Sequence, residues 1–281
     1  MAKEILARAK ARAEKLARQP KVVALVCNET PATKSYLAIK SKRAADAGCV
    51  LEVRRLNMTG IQENERSLKV VDSVRKAAGE ADALIVQLPL PEGVDTKAVC
   101  DAIPIEKDAD VLSSAARAGF EMKGLRNLSL LPPVVGAVRE IFVRNNVGAK
   151  GKKAVVIGAG FLVGAPVATW LTQQGADVRV LTIETNQEDF TAALRASDII
   201  VSGAGSPHII KPEMLKEGVI LIDAGTSESS GVIVGDTEPA CAAKCSLFTP
   251  VPGGVGPLAV ACLFENVVML AEQKNSSILS S

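Results

Sequence analysis

Short runs of β-branched and apolar residues alternate with segments whose apolar residues recur at helical spacing along nearly the whole chain, and this alternation constrains the fold more than any other feature. Buried strands that repeatedly lead into helices form parallel sheets with crossover helices on their faces. The pattern predicts strands over Val22 to Cys27, Val50 to Leu56, Leu84 to Leu88, Ala154 to Gly158, Asp177 to Thr182, Asp198 to Ser202 and Val219 to Asp223. It predicts helices over Thr33 to Ala47, Gln62 to Ala78, Val134 to Asn145, Leu162 to Gln174, Asp189 to Ala196 and about Pro257 to Gln273. The opening residues repeat Ile5, Ala9, Ala13 and Leu16 at helical spacing. A length of 281 residues accommodates two domains, and a boundary falls between Gly119 and Lys152, where glycines and a Pro-Pro pair separate two runs of strands.

Rare residues narrow the chemistry. There is one His (His208), one Trp (Trp170) and one Tyr (Tyr36). Multi-His metal sites are therefore excluded within one chain, and a Ser-His-Asp or Cys-His mechanism would have to run through His208. His208, in Gly205-Ser206-Pro207-His208, reads as an ordinary loop histidine. Acid-base work falls to Lys, Asp, Glu, Tyr or Cys. The 33 basic and 31 acidic residues leave a net charge of +2, which argues against a nucleic-acid footprint. Cys27, Cys49, Cys100, Cys241, Cys245 and Cys262 are scattered, mostly in apolar runs, and read as free thiols of a reducing compartment. Cys241 and Cys245 are a close pair without a second pair or a nearby His, so no metal is expected. The N-terminal segment has no unbroken apolar stretch, and the apolar tail from Leu258 is broken by Glu265. The expectation is a soluble cytoplasmic protein without a membrane segment.

Lys153 to Gly164 reads KAVVIGAGFLVG, a buried strand followed by Gly158-x-Gly160-x-x-x-Gly164 and a helix. Such a turn lets the backbone approach a pyrophosphate and aims a helix N-terminus at it. The next strand ends near Thr182 with Glu184 two residues on, where an adenosine ribose would sit. Two later strands run into Ser202-Gly203-Ala204-Gly205 and Asp223-Ala224-Gly225-Thr226, both suited to backbone contact with a flat cofactor. This half is expected to be a Rossmann-type, doubly wound parallel-sheet nucleotide domain.

In the other half, Tyr36 and Lys40 are four apart on one helix, so they share a face. That face is either solvated, since Lys34, Lys42 and Arg43 are close by, or a proton-transfer pair, because a partly desolvated lysine near a cation can serve as acid or base. Tyr-x-x-x-Lys also marks short-chain dehydrogenases, but there it follows the glycine-rich turn, whereas this one precedes it. Val86-Gln87-Leu88-Pro89-Leu90-Pro91 ends a strand with an amide and two prolines, a rigid exit that fixes where Gln87 points. Asp108 and Asp110, in a loop, are either caps and turn formers or functional carboxylates. Thr249 to Pro257, TPVPGGVGP, reads as a loop whose backbone a planar ligand or another domain approaches.

These motifs, in this order and over nearly the whole chain, resemble the methylenetetrahydrofolate dehydrogenase/cyclohydrolase family: Tyr36-x-x-x-Lys40, VQLPLP at Val86 to Pro91, KDAD at Lys107 to Asp110, VVIGAGFLVGAP at Val155 to Pro166 and TPVPGGVGP at Thr249 to Pro257. The resemblance implies oxidation of 5,10-methylenetetrahydrofolate to the methenyl cation with NAD(P)+, then hydrolysis to 10-formyltetrahydrofolate, in one-carbon metabolism. It implies a homodimer, with the apolar Val178 to Ile183 strand region in support. It also implies an N-terminal α/β folate domain over 1–120, completed by a C-terminal helix over 257–281, a Rossmann-type domain over 121–256 and a cleft between them. Carried over, Lys40 is the general acid/base, Gln87 orients it, Tyr36 lines the pocket and Asp110 binds the pterin amide and amino edge. Val86, Leu88, Pro252, Gly253, Gly254, Val255, Gly256 and Pro257 complete the substrate site. Gly158, Ala159, Gly160, Val163, Gly164, Thr182, Ile183, Glu184, Gly203, Ala204, Gly205, Gly225 and Thr226 would face the nucleotide.

Departures carry their own expectations. Val111 stands where the resemblance implies Gly, which predicts a different path for the Asp110 loop. Pro132-Pro133-Val134-Val135 stands in place of a Pro-Cys-Thr-Pro loop and removes a hydroxyl near the cofactor. Ala159, Gly160, Thr182 and Ile183 supply no cation for a 2'-phosphate and Glu184 would repel one, so NAD is favoured over NADP. Leu258-Ala259 in place of Met-Thr is a packing change. The rival readings are a family member keeping one of the two activities and a non-catalytic nucleotide-binding regulator.

Overall fold

The computed structural model describes residues 1–28, 31–122, 130–229 and 232–279. Contacts divide the chain into two units, Met1–Pro133 with Val260–Ser281, and Val134–Ala259.

The first unit runs α1 (Ala2–Ala13), β1 (Lys21–Val26), α2 (Pro31–Asp46), β2 (Val50–Arg55), α3 (Glu63–Glu80), β3 (Ala83–Val86), α4 (Thr96–Asp101) and α5 (Ser114–Glu121). Its three strands are parallel in the order β2-β1-β3, with Val22 opposite both Leu51 and Ala83. The central strand is covered on both faces, so Val22 to Val26 is an unbroken buried apolar run. Helix α3 presents Val70, Val71, Val74, Ala77 and Ala78 to Val23, Leu25, Leu84 and Val86. That three-and-four spacing is what one buried helical stripe requires, and each buried valine contributes roughly 1.5–3 kcal/mol relative to exposure.

The second unit contains α6 (Pro133–Arg144), β4 (Lys153–Ile157), α7 (Gly164–Gln173), β5 (Asp177–Leu181), α8 (Gln187–Ala196), β6 (Ile199–Ser202), β7 (Val219–Asp223), β8 (Ser227–Ser229), β9 (Val232–Val234) and β10 (Cys245–Thr249). Five parallel strands lie in the order β10-β7-β6-β4-β5, and β8 pairs antiparallel with β9. Phe142 and Trp170 meet edge to face, with centroids 5.4 Å apart. The chain then enters α9 (Val255–Leu279), which begins in the second unit and continues through the first. By length and composition α9 could cross a membrane, but its apolar residues, among them Phe264, Val267, Val268 and Leu270, are buried in the core.

Several details differ from the sequence-based expectation. Helices α4 and α5 fall where none was expected; at six and eight residues they are too short for a periodic stripe and are set by caps, Asp95 accepting from the Ala98 N–H and Ser113 from the Ala116 N–H. The first unit extends to Pro133 rather than Phe120, because α5 stays with α4 and Asn266 of α9 holds the Leu131 carbonyl. Residues 123–129 of the expected boundary stretch lie outside the described residues. Helix α6 begins at Pro133, one residue before the expected Val134, so of the Pro132 to Val135 stretch expected to replace a loop only Pro132 lies outside the helix, and both valines are buried. Strand β10 was not expected, and α9 starts at Val255, which places Val255, Gly256 and Pro257 in a helix.

Candidate active site

In the first unit, α2 carries Tyr36 and Lys40 one turn apart and β3 delivers Gln87. The Gln87 N–H donates to the Leu25 carbonyl at 2.9 Å, so Gln87 still sits in the ladder just beyond β3. Its side-chain Nε2 donates to the Leu88 carbonyl at 2.8 Å, which fixes the amide orientation and turns Oε1 outward. Lys40 Nζ donates to that Oε1 at 2.9 Å. The partner is neutral, so it orients the lysine without holding its proton in an ion pair. Lys40 and Gln87 are half-buried, and Tyr36 lies exposed one turn before them. Val86 is buried in β3.

The Lys107 to Asp110 segment divides its work. Lys107 Nζ donates to the carbonyls of Ala78 and Ala81, closing the C-terminal end of α3. Asp108 is buried, and its carboxylate accepts the N–H groups of Leu112 at 3.0 Å and Ser113 at 2.7 Å, so it is a loop organiser. Asp110 accepts no hydrogen bond among the described residues and feels the charge of Lys40. Desolvation pushes its carboxyl up to about 6, Lys40 pulling against that and Asp108 adding to it. Val111 is buried with φ of 57°, the left-handed region that favours glycine. The loop thus keeps a glycine-like conformation despite the valine, at a cost of about 1–3 kcal/mol that its neighbours must hold in place.

In the second unit β4 pairs with β5 on one side and β6 on the other, so the chain reverses its winding at β4. Ligands of open α/β sheets bind in the crevice at the carboxyl ends of such a strand pair. Both ends there continue into glycine. Gly158 has φ of 89°, and a Cβ on it would lie 2.9 Å from the Gly203 carbonyl oxygen; a Cβ on Gly164 would lie 1.8 Å from that of Gly158. A Cβ on Gly203 would strike Val163, while Gly160 opens on free space. The residue before α7, Val163, has no side chain able to cap the helix; the Ala165 N–H donates to the Gly160 carbonyl at 3.1 Å and Pro166 has no N–H, which leaves the Gly164 N–H of the first turn available to an anion. The glycine turn and uncapped helix fit the pyrophosphate of a dinucleotide, with Ala159 and Gly160 at its approach. Past β5, Thr182, Ile183 and Glu184 form an exposed turn in which the Glu184 N–H donates to Thr182 Oγ1.

Two buried aspartates hold the remaining nucleotide-side loops, and sequence reasoning missed their role. Asp236 accepts from Ser202 Oγ at 2.6 Å and from the N–H groups of Ala204 and Ser206 at 2.8 Å. Asp223 accepts from the N–H groups of Gly225 and Thr237 and from Thr237 Oγ1. Burial raises the Asp223 carboxyl above the usual range, the bond from Thr237 opposing it. Gly225 and Gly235 leave room for these carboxylates, as a Cβ on either would lie within 2.3 Å of one. The signal for Asp236 was an acid set behind the apolar run Val232 to Val234 and Gly235. Ser227 Oγ ties the Thr226 segment to the Gly205 carbonyl at 2.8 Å.

Past β10 the 250–254 stretch is a turn, with the Gly254 N–H donating to the Pro250 carbonyl at 2.8 Å and Gly253 at φ of 105°; Pro252 lies within it. His208 lies exposed in its loop with Nδ1 3.4 Å from the Thr237 carbonyl. The six cysteines are free thiols, and burial pushes those of Cys49 and Cys241 up to about 12. Among the described residues no cluster of His, Cys, Asp and Glu is disposed to hold a metal ion.

Two family models match the chain. The tetrahydrofolate dehydrogenase/cyclohydrolase catalytic domain covers residues 1–110 and the NAD(P)-binding domain of the same family covers 132–275. A bifunctional protein FolD of Thermotoga maritima is 31% identical over 98% of this chain and 97% of its own length. One of Halothermothrix orenii is 36% identical over 89% and 87%. A solved Trypanosoma brucei methylenetetrahydrofolate dehydrogenase-cyclohydrolase, complexed with NADP and an inhibitor, superposes with a TM-score of 0.89 at 31% identity, covering 98% of this chain and 95% of that one. With a lysine, amide and carboxylate assembled in one unit, a glycine cradle at the switch point of the other, and both domain models matched in order, the chain belongs to the tetrahydrofolate dehydrogenase/cyclohydrolase family.

Proposed function

We propose that this chain oxidises 5,10-methylenetetrahydrofolate to the methenyl cation with a nicotinamide dinucleotide and hydrolyses the cation to 10-formyltetrahydrofolate. The observation that carries it is the 2.9 Å bond from Lys40 Nζ to an amide whose orientation is already fixed. The Gly158–Gly164 turn would hold the dinucleotide, which when bound would supply the acceptor for a hydride from the methylene carbon. The protein's part in that step is orientation. In hydrolysis, water adds to the methenyl carbon and Lys40 Nζ takes its proton as the C–O bond forms. The same Nζ returns a proton to N5 as the C–N5 bond breaks, and the remaining hydroxyl proton leaves to solvent as the formyl group forms. Gln87 keeps Nζ aimed, and neither step needs a histidine. Tyr36 lines the pocket beside the folate. Followed by methenyl absorbance, the protein forms the cation from methylene-folate only with nucleotide present and removes added cation without it. Inactivity in both assays would leave a nucleotide-binding protein of this fold and end the proposal.

Asp110 binds the pterin edge as a carboxylate, accepting paired N–H bonds. Its raised value means that the folded chain holds a proton that the unfolded chain releases, so its contribution to stability falls as pH rises from about 4 to about 6. Substrate binding moves the other way, because the ionised form is the acceptor. KM for methylene-folate is expected to be about tenfold higher at pH 5 than at pH 7, one unit below the titration point costing that factor. The profile flattens in Asp110→Asn; a wild-type profile without an inflection near 6 would remove Asp110 from the site.

NAD is the preferred cofactor. Between Gly158 and Gly164, and between Thr182 and Asp189, there is no Lys or Arg, while Glu184, Glu188 and Asp189 are present. A 2'-phosphate there gains no cation and meets like charge, whereas a free 2'-hydroxyl can donate to Glu184. The expected kcat/KM is at least about tenfold higher with NAD+ than with NADP+. Equal or greater efficiency with NADP+ would overturn the preference.

A further inference from the structure

Asn266 is a buried amide, 6% exposed, on the α9 segment that belongs to the first unit. Its neighbours Phe264, Val267 and Val268 are buried and apolar, so an amide at this position is costly unless it is paired. Nδ2 donates to the Ala109 carbonyl at 2.9 Å and to the Leu131 carbonyl at 2.8 Å. Both acceptors lie in loops outside the helices and strands. Ala109 immediately precedes Asp110, and Leu131 precedes the prolines that open α6. Asp108 holds the same loop through Leu112 and Ser113, and a parallel bridge joins Asp108 to Leu84 of β3. The left-handed Val111 persists only where its surroundings over-determine it, and these bonds are what over-determine it.

We propose that Asn266 is a positioning residue of the folate site, its amide pinning the Ala109 carbonyl so that Asp110 meets the pterin edge without first having to be ordered. The inference rests on the folate reading above. Asn266 touches no reacting atom and acts through Asp110. Without the amide, substrate binding must supply the ordering of the loop, which raises KM more than it lowers kcat.

The experiment is a double-mutant cycle between Asn266→Leu and Asp110→Asn, read as KM and kcat for methylene-folate with saturating NAD+. Asn266→Leu in the wild-type background is expected to raise KM about tenfold with kcat within about threefold, and in the Asp110→Asn background to raise KM less than about twofold. A residue that merely supports the fold would change KM by the same factor in both backgrounds, and that result, or an unchanged KM in the wild-type background, overturns the proposal. If the leucine variant does not fold, Asn266→Ser, which keeps one donor in a smaller side chain, is read against the same two outcomes. A wild-type protein without turnover would overturn the folate reading itself, whereas turnover with an indifferent Asn266 would overturn only the positioning role.

Discussion

Lys40→Met is expected to bring hydrolysis of methenyl-folate down by about 10²–10⁴-fold, the usual contribution of a positioned general acid or base, while the Kd for NAD+ stays within about twofold of wild type. The substitution removes little else. Methionine keeps an unbranched apolar stem of similar length and has nearly the same helix propensity, so α2 should persist. Gln87 Oε1 loses its lysine donor, but the group is half-buried and open to water, which limits the cost to about 1 kcal/mol. The nucleotide loops lie in the other unit, so their affinity gives an internal measure of integrity. The readout is the initial rate of methenyl absorbance loss at fixed pH, alongside a nucleotide titration of the same sample. A rate within threefold of wild type would take Lys40 out of the mechanism.

Gly164→Ala is expected to weaken NAD+ binding by at least about a hundredfold and to lower the stability of the second unit by roughly 1–3 kcal/mol, the range for forced overpacking. The added Cβ would sit 1.8 Å from the Gly158 carbonyl oxygen and 2.7 Å from its carbon, and both are backbone atoms that no rotamer change can move. Either the 158–160 turn or the start of α7 must shift, and those are the groups that face the pyrophosphate. Gly160→Ala is the matched control, since a Cβ there meets nothing within 4 Å and stability should be retained. Nucleotide titration and thermal unfolding of the two variants separate the cases. Wild-type affinity in Gly164→Ala would contradict the cradle geometry.

The strands read from sequence include the half-exposed edge strands β2 and β5 as well as the central ones buried on both faces. Val22 to Val26 and Leu84 to Val86 are continuous apolar runs because helices cover both sides, and such runs need no knowledge of partners. Strand β10 was missed because Cys245 to Thr249, CSLFT, has a β-branched residue only at its end and runs directly into a Pro/Gly-rich loop. Helices α4 and α5 were missed because one or two turns give no stripe, although their Asp and Ser caps are readable afterwards. The site follows the same division. Four-residue spacing puts Tyr36 and Lys40 on one face, yet only the pairing of β3 with β1 brings Gln87, 47 positions on, to Lys40 Nζ. Asp108 and Asp110 look alike in sequence, and burial and partners separate them into an organiser and an open carboxylate. Asp236 and Asn266 were invisible as functional supports, because their meaning lies in carbonyls and N–H groups many residues away.

The central claim is that one chain performs both steps, with Lys40 as the acid and base of the second. It is tested most directly in one cuvette holding the protein, methylene-folate and NAD+, with reduced nucleotide, methenyl-folate and 10-formyl-folate followed together. The account predicts that reduced nucleotide and 10-formyl-folate accumulate in equal amounts in the wild type, whereas any cation formed by Lys40→Met accumulates as methenyl-folate. Methenyl-folate as the end product of the wild type, or 10-formyl-folate formed equally fast by both proteins, would contradict it.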